Sequence, residues 1–448
     1  MAAPATSRPD CAESPSVSAQ LFARARHVMP TGYTRDFVAA KPHPNYAAFG
    51  KGCWIEDVDG NRRIDWVNNF ASLIHGHARQ EIVDVIQQQA PRLLAAVLPT
   101  EWEVKLAETL CARIPSLDQV RFTNTGTEAN QIITKAARAI TGKPKMAKVE
   151  GGYHGQYDLL EASFQPSAPD WGPPERPRPV AHNAGTPQSL LDELVIVPFN
   201  DIENTRAILR AEADQLAAII LDPWRLQVNM VEPDRAYLDM LREETSRLGI
   251  LLIFDEVVSL RASYHGAQGL QGVTPDLTTM GKIIGGGLPI GGFGGRREYM
   301  SIFDIDRTDR KVKHSGTFTA NPMSMAAGFT SMSLLTPASF DDLNAKSARL
   351  REGLRRAHRD LRLPGRIEGS GSFTALMLTD HEVRNYRDLA RAMQSGMMDL
   401  VLRITALLVE QGIFTLRGNF IGSTAMTDDD VDFTIAGATR ALSKLRDG

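Results

Sequence analysis

Cysteine is scarce in this chain: 448 residues carry Cys11, Cys53 and Cys111 and no others. An odd number without metal-ligand spacing argues against a disulfide framework and a cysteine-bound metal, and makes a reducing cytoplasm the simplest compartment. A surplus of one charge is missing as well. Fifty Lys and Arg face 53 Asp and Glu, for a formal net charge of −3. Such a balance supplies no basic face for nucleic acid or an anionic membrane. No run of 18 or more apolar residues is present, so no membrane-spanning helix is expected. The opening "MAAPATSRPDCAESPSVSAQ" lacks a basic start and an apolar stretch, and reads as a frayed tail instead of a signal peptide. No internal repeat is apparent.

What is present is ordinary globular material, 43% hydrophobic and 23% charged. The length suggests more than one domain, or a large α/β domain with an appendage. "SAQLFARARHVMP" has helical spacing, and "GCWIEDVDGNRRIDWV" alternates around a hairpin signal at Asp59-Gly60. "EIVDVIQQQAPRLLAAV" and "EWEVKLAETLCARIP" predict amphipathic helices. "QVRFTN" predicts a strand, "TEANQIITKAARAITG" a helix closed by Gly142, and "KMAKVEG" a strand. The Pro-rich stretch Ser163 to Ser189 carries no periodicity and predicts either a lid or disorder. Strand–helix alternation then resumes through "LAAIILDP", "ILLIFDEV", "DLTTMGKII" and "IGGFGG", which implies a buried, mostly parallel sheet. From about Ser331 the pattern changes to a separate α+β unit.

Three places carry chemistry. Asp255 closes the apolar run "ILLIFD", at the strand edge where open parallel sheets bind ligands. A carboxylate there is functional or caps the next helix. Lys282 follows "DLTTMG" and precedes "IIGGGLPIGGFGG", which packs seven glycines into thirteen residues. A lysine amine and a carboxylate at one edge suit an aldehyde cofactor: the amine forms a Schiff base and the carboxylate keeps a pyridine nitrogen protonated, the pairing pyridoxal phosphate uses. "TNTGTEAN" is the third place. Thr125, Gly126 and Thr127 would offer hydroxyls and backbone N–H groups to a phosphate at a helix N-terminus. The same residues also read as a capping box, Thr125 with Glu128.

Together with "DVDGNRRIDW", "EGGYHG" and "HSGTFTANPMSMAAG", these motifs resemble the class III aminotransferases, fold-type I pyridoxal-phosphate enzymes, over roughly Ala23 to Ala436. The likeness is to the branch holding glutamate-1-semialdehyde aminomutase and the β-amino acid aminotransferases. It implies an α/β large domain with a mostly parallel seven-stranded sheet over residues 76–330. A smaller α+β domain would be built from an N-terminal segment, 1–75, and a C-terminal part, 331–448. It implies pyridoxal 5′-phosphate, with Lys282 as Schiff-base residue and proton shuttle and Asp255 on the pyridinium nitrogen. Tyr153 would stack on one ring face and Val257 or Val258 on the other, with Gly126 and Thr127 on the phosphate. Thr317 would reach the phosphate of a neighbouring subunit in a homodimer. The glycines after Lys282 would let the backbone pass close to cofactor and partner. His154, His75, His77 and His314 read as structural hydrogen bonders.

Substrate residues follow from the same likeness. Arg35 of "PTGYTRDFV" would bind a donor carboxylate, a task suited to guanidinium. Arg417 of "IFTLRGNF" stands where the aminomutases usually carry a glutamate-containing segment, and would bind the carboxylate of a 2-oxo acid or swing aside for an apolar group. Two departures stand out. "LDPWRLQVNM" replaces the relatives' Glu-Pro turn, so Trp224 and Arg225 would enter the pocket, and "HGHARQEI" lacks a usual proline. Three readings result: an aminotransferase for a β-amino acid or a bulky amino acid, with a 2-oxo acid acceptor; an aminomutase or epimerase; or a regulator, for which no basic DNA-binding module is found.

Overall fold

The computed structural model describes residues 16–224, 230–309 and 311–447. A helix, Val17–Val28, precedes an antiparallel meander of β1 (Ala47–Lys51), β2 (Trp54–Asp57) and β3 (Arg62–Asp65), turned at Gly60 with φ 83°. Seven strands follow: β4 (Gln119–Thr123), β5 (Lys145–Val149), β6 (Leu194–Val197), β7 (Leu216–Leu221), β8 (Leu251–Asp255), β9 (Leu277–Gly281) and β10 (Gly291–Gly295). The last are β11 (Arg366–Glu368), β12 (Phe373–Met377), β13 (Ile413–Phe414) and β14 (Asn419–Ile421).

The seven-stranded sheet has the order β4-β10-β9-β8-β7-β5-β6. Only β10 opposes the common direction, pairing antiparallel with both β4 and β9. This is the seven-stranded, mostly parallel sheet that the resemblance implies. The continuous apolar runs have a simple cause. Ile219, Leu221, Leu252 and Phe254 point into one core, while Ala218, Ile220, Leu251 and Ile253 point into the other. Both faces are covered, so alternation of polarity is lost while alternation of direction remains.

The two chain ends meet in a second sheet. β13 pairs parallel with β3, Ile413 opposite Ile64, extending the meander to β1-β2-β3-β13. A shared core holds Ile64 and Trp66 with Leu350, Phe420 and Leu442. β11, β12 and β14 form a small antiparallel sheet beside it.

Two segments differ from the sequence reading. The helix predicted from Glu81 through Val97 stops at Gln89, since Pro91 cannot continue the hydrogen-bond ladder. β6, in "LVIV", was not anticipated. The Pro-rich stretch is held in place instead of floating. Arg387 donates to the carbonyls of Gly172 (2.9 Å), Trp171 (3.0 Å) and Pro173 (3.3 Å), and Tyr386 Oη to that of Pro166 (3.1 Å). One segment, Tyr386–Glu410, is long and apolar enough to cross a membrane by length and composition. Here it lies against the protein: Met397, Val401, Ile404 and Leu408 recur on one face and enter the two adjoining cores.

Candidate active site

Asp255 ends β8 and Lys282 follows β9; the register Asp255 opposite Thr279 puts both at the same sheet edge. The Asp255 carboxylate is buried and fully engaged. Its Oδ2 accepts from Asn130 Nδ2 (2.9 Å) and His154 Nδ1 (2.8 Å). Its Oδ1 accepts from the Val257 backbone N–H (3.0 Å) and lies 3.4 Å from the Thr279 hydroxyl oxygen. The Thr279 hydroxyl donates its one proton to Asn130 Oδ1 at 2.6 Å, which draws the three side chains together. Burial holds the His154 pKa below its ordinary value, against the pull of Asp255. The imidazole is therefore neutral at pH 7, with its proton on Nδ1 facing the carboxylate. Its Nε2 has no partner among the described residues.

Lys282 sits in left-handed backbone, φ 50°, a conformation that costs an L-residue about 1–2 kcal/mol. Strain of this kind persists where the surroundings over-determine it, commonly at functional sites. Burial pushes the Lys282 amine below the usual lysine range, and the nearby Asp255 carboxylate opposes but does not cancel it. A partly exposed amine inclined to lose its proton beside a buried carboxylate is the donor set an aldehyde-bearing pyridine requires.

A helix N-terminus lies beside them. The helix Gly126–Thr141 starts at Thr125, whose Oγ1 accepts from the Glu128 N–H (3.1 Å), while Glu128 Oε2 accepts from the Asn124 N–H (2.8 Å). The capping role of Thr125 thus occupies its side chain, and the first-turn N–H groups of Gly126 and Thr127 remain without intrahelical partners. The space there has no allowance for side chains. A Cβ on Gly126 would lie 2.7 Å from Val257 Cγ2, one on Gly155 2.4 Å from Thr127 Oγ1, and one on Gly291 2.0 Å from the Thr125 carbonyl. The glycines after Lys282 also serve contacts within the chain. Gly291 lets β10 lie against the Thr125 turn, and Gly286, at φ 59°, abuts the Ala327 carbonyl, 2.4 Å from where its Cβ would be. These are close approaches within one chain.

Tyr153 is half exposed, with its ring 4.9 Å from that of Phe164. Burial, then the charges of Asp255 and Glu161, push its hydroxyl upward, which places it in the field of the same carboxylate. Val257 packs on Gly126 and Gly281. Val258 packs against the cluster of Ala71, Ala262 and Phe373. Thr317 is exposed next to exposed Phe318.

Arg35 and Arg417 are both exposed and share one neighbourhood. Arg35 Nη1 donates to Asn69 Oδ1 at 3.1 Å. The Arg417 guanidinium stands 4.3 Å over the Phe37 ring, and Phe37 meets Phe70 edge-on at 5.4 Å. Among the described residues neither arginine pairs with a carboxylate. Trp224 departs from its expected place. It is completely buried, edge-on to Phe373 at 5.0 Å and against Gly371, so it packs in the core instead of entering an open pocket. Arg225 lies outside the described residues. His75 contacts Thr424 Oγ1 and the Ser331 carbonyl, His77 contacts Asp65, and His314 accepts from Arg121. Sequence reasoning missed Asn130, Thr279 and the contact of His154 with Asp255. A faint signal existed, since Asn130 ends "TNTGTEAN" and Thr279 is polar in a buried strand.

A parallel α/β sheet with a lysine and an aspartate at one edge, and a glycine-lined helix N-terminus beside them, defines a fold-type I pyridoxal-phosphate enzyme. Residues 38–417 match the model of the class III aminotransferases. The chain belongs to that family, and its cofactor is pyridoxal phosphate. It is 36% identical over 433 residues to glutamate-1-semialdehyde 2,1-aminomutase 2 of Anoxybacillus flavithermus, covering 95% of this chain and 97% of that one. An omega-transaminase from Sphaerobacter thermophilus superposes with a TM-score of 0.93 at 44% identity, over 97% of this chain and 99% of that one. A transaminase solved with PLP bound gives 0.88 at 35%, over 96% and 98%. A β-phenylalanine aminotransferase from Variovorax paradoxus gives 0.83 at 30%, over 95% and 93%.

Proposed function

We propose that this enzyme moves an amino group from a carboxylated amino donor, a β-amino acid or an amino acid with a bulky side chain, to a 2-oxo acid. The observation that carries the reading is the pair of arginines without acidic partners among the described residues, Arg35 held by an amide and Arg417 by an aromatic ring. A guanidinium held only by neutral groups is suited to clamp a substrate carboxylate. Its likeness to an omega-transaminase and a β-phenylalanine aminotransferase supports the same class. A second reading, aminomutase, rests on the 36% identity to a glutamate-1-semialdehyde aminomutase.

Bound pyridoxal phosphate supplies a carbonyl that holds an amine and a ring that takes up electron density from it. Gly126 and Thr127 would hold the phosphate, with Tyr153 and Val257 on opposite faces of the ring. Asp255 would hold a proton on the ring nitrogen, and its carboxylate is held in place by His154, Asn130 and the Val257 backbone N–H. Lys282 would provide the amine that anchors the cofactor and then carry the proton away from the donor's Cα. Arg35 would grip the donor carboxylate, and Arg417 that of the 2-oxo acid. Two copies of the chain would complete the sites, Thr317 reaching across. Exposed Leu94, Val97, Leu98 and Phe318 support such an interface, and the Asn321 side chain ties the two stretches by donating to the Leu94 carbonyl at 2.9 Å.

The test compares Arg35→Ala with the parent enzyme on 3-amino-3-phenylpropanoate and on 1-phenylethylamine, which lacks the carboxylate. We expect kcat/KM for the acid to fall about 100-fold, the scale of a lost charge-assisted pair, and that for the amine to change less than about threefold. Equal losses on both would refute the role.

A further inference from the structure

Residues Asn68 to Ala71 all lie in left-handed backbone, with φ of 48°, 48°, 56° and 70°, and none is glycine. Successive non-glycine residues in this region are disfavoured and need external support. Support is present at each end. Asp65 Oδ1 accepts from the N–H groups of Val67 (2.7 Å) and Asn68 (3.0 Å). Asn68 Nδ2 donates to the Ile421 carbonyl at 2.6 Å. Arg261, fully buried, donates from Nη1 to the Ala71 carbonyl at 3.0 Å. The two middle residues are therefore displayed from a rigid base.

What they display are contacts of Arg35 and Arg417, which have no acidic partner among the described residues. Asn69 Nδ2 donates to Ser72 Oγ at 3.0 Å, which turns Oδ1 toward Arg35 Nη1. Phe70 meets the edge of Phe37, and the face of Phe37 carries Arg417. An amide and a ring hold a guanidinium without neutralising it, and each leaves other N–H groups free for a carboxylate. We infer that the left-handed turn is a positioning element for carboxylate recognition, with Asn69 orienting Arg35 and Phe70, through Phe37, orienting Arg417. The inference rests on the proposed carboxylate roles of those arginines.

Asn69→Asp tests it, because Asp also tolerates left-handed backbone and would place a competing anion on Arg35. With the cofactor-loaded enzyme we expect KM for 3-amino-3-phenylpropanoate to rise about tenfold, kcat to stay within about twofold, and 1-phenylethylamine to be unaffected. Asn69→Gly keeps the backbone conformation and removes the amide, and should raise the same KM by about threefold. Phe37→Leu should raise KM for 2-oxoglutarate by about threefold to fivefold and leave the donor KM unchanged. In an Arg35→Ala background, Asn69→Asp should add nothing. Unchanged KM values in the Asn69 and Phe37 variants, or equal losses on the acid and the amine, would overturn the inference. If Arg35→Ala itself fails to separate the two donors, the proposed carboxylate role falls. If it separates them and Asn69→Asp does not, only the positioning role falls.

Discussion

The Asp255 charge acts on the proton equilibrium of Lys282, and this influence can be measured at the level of single groups. Burial lowers the Lys282 pKa and the Asp255 charge raises it, with burial prevailing. In cofactor-free protein Lys282 should therefore be alkylated at a lower pH than the exposed lysines. Asp255→Asn removes the raising influence, so the Lys282 profile should move further toward acid. Peptide mass spectrometry after timed alkylation across a pH series reads both, and a shift of that profile toward alkaline pH would contradict the coupling. The pair was legible in the sequence because each member closes a run that reads as a buried strand. Its supports were not. Asn130 and Asp255 are 125 positions apart, and no local pattern announces a contact made by folding a helix against a strand edge. Trp224 was misplaced for a related reason: a motif position next to a site says nothing about which way a large ring points.

Among the elements, the loop carrying Tyr153 depends on a buried cation. Lys148 of β5 donates its ammonium to the carbonyls of Gly152 (2.6 Å), Leu160 (2.7 Å) and Ala162 (2.7 Å), and burial pulls its pKa down to about 7. Lys148→Met keeps the length and leaves those buried carbonyls without a donor. Each loss costs about 1–3 kcal/mol, so urea denaturation should show at least about 3 kcal/mol of destabilisation. A change below about 1 kcal/mol would show that the carbonyls find other donors. Sequence periodicity found most strands and helices here because apolar spacing survives burial. It missed the turn at Asn68–Ala71, since left-handed backbone is normally announced by glycine and this turn has none.

At the scale of the molecule, the architecture was readable from alternating strands and helices, whereas the pairing of β3 with β13 joins residues some 350 positions apart and leaves no local trace. The proposed assembly has its own test. Val97, fully exposed on the lone chain, lies with Leu98 and Phe318 on the surface assigned to a second copy. Val97→Glu would bury a charge there and should shift sedimentation toward monomer at micromolar concentration; an unchanged dimer would remove this patch from the interface. The most direct test of the whole account is a single-turnover half-reaction. The pyridoxal-phosphate-loaded enzyme is mixed with 3-amino-3-phenylpropanoate and other α- and β-amino acids, without acceptor, while the cofactor spectrum and products are followed. We expect one donor class to bleach the cofactor band and release one equivalent of oxo product, with a 2-oxo acid restoring the band. No oxo product from any donor, together with isomerisation of an amino-aldehyde by the pyridoxamine-phosphate-loaded enzyme, would contradict the aminotransferase assignment and establish the mutase.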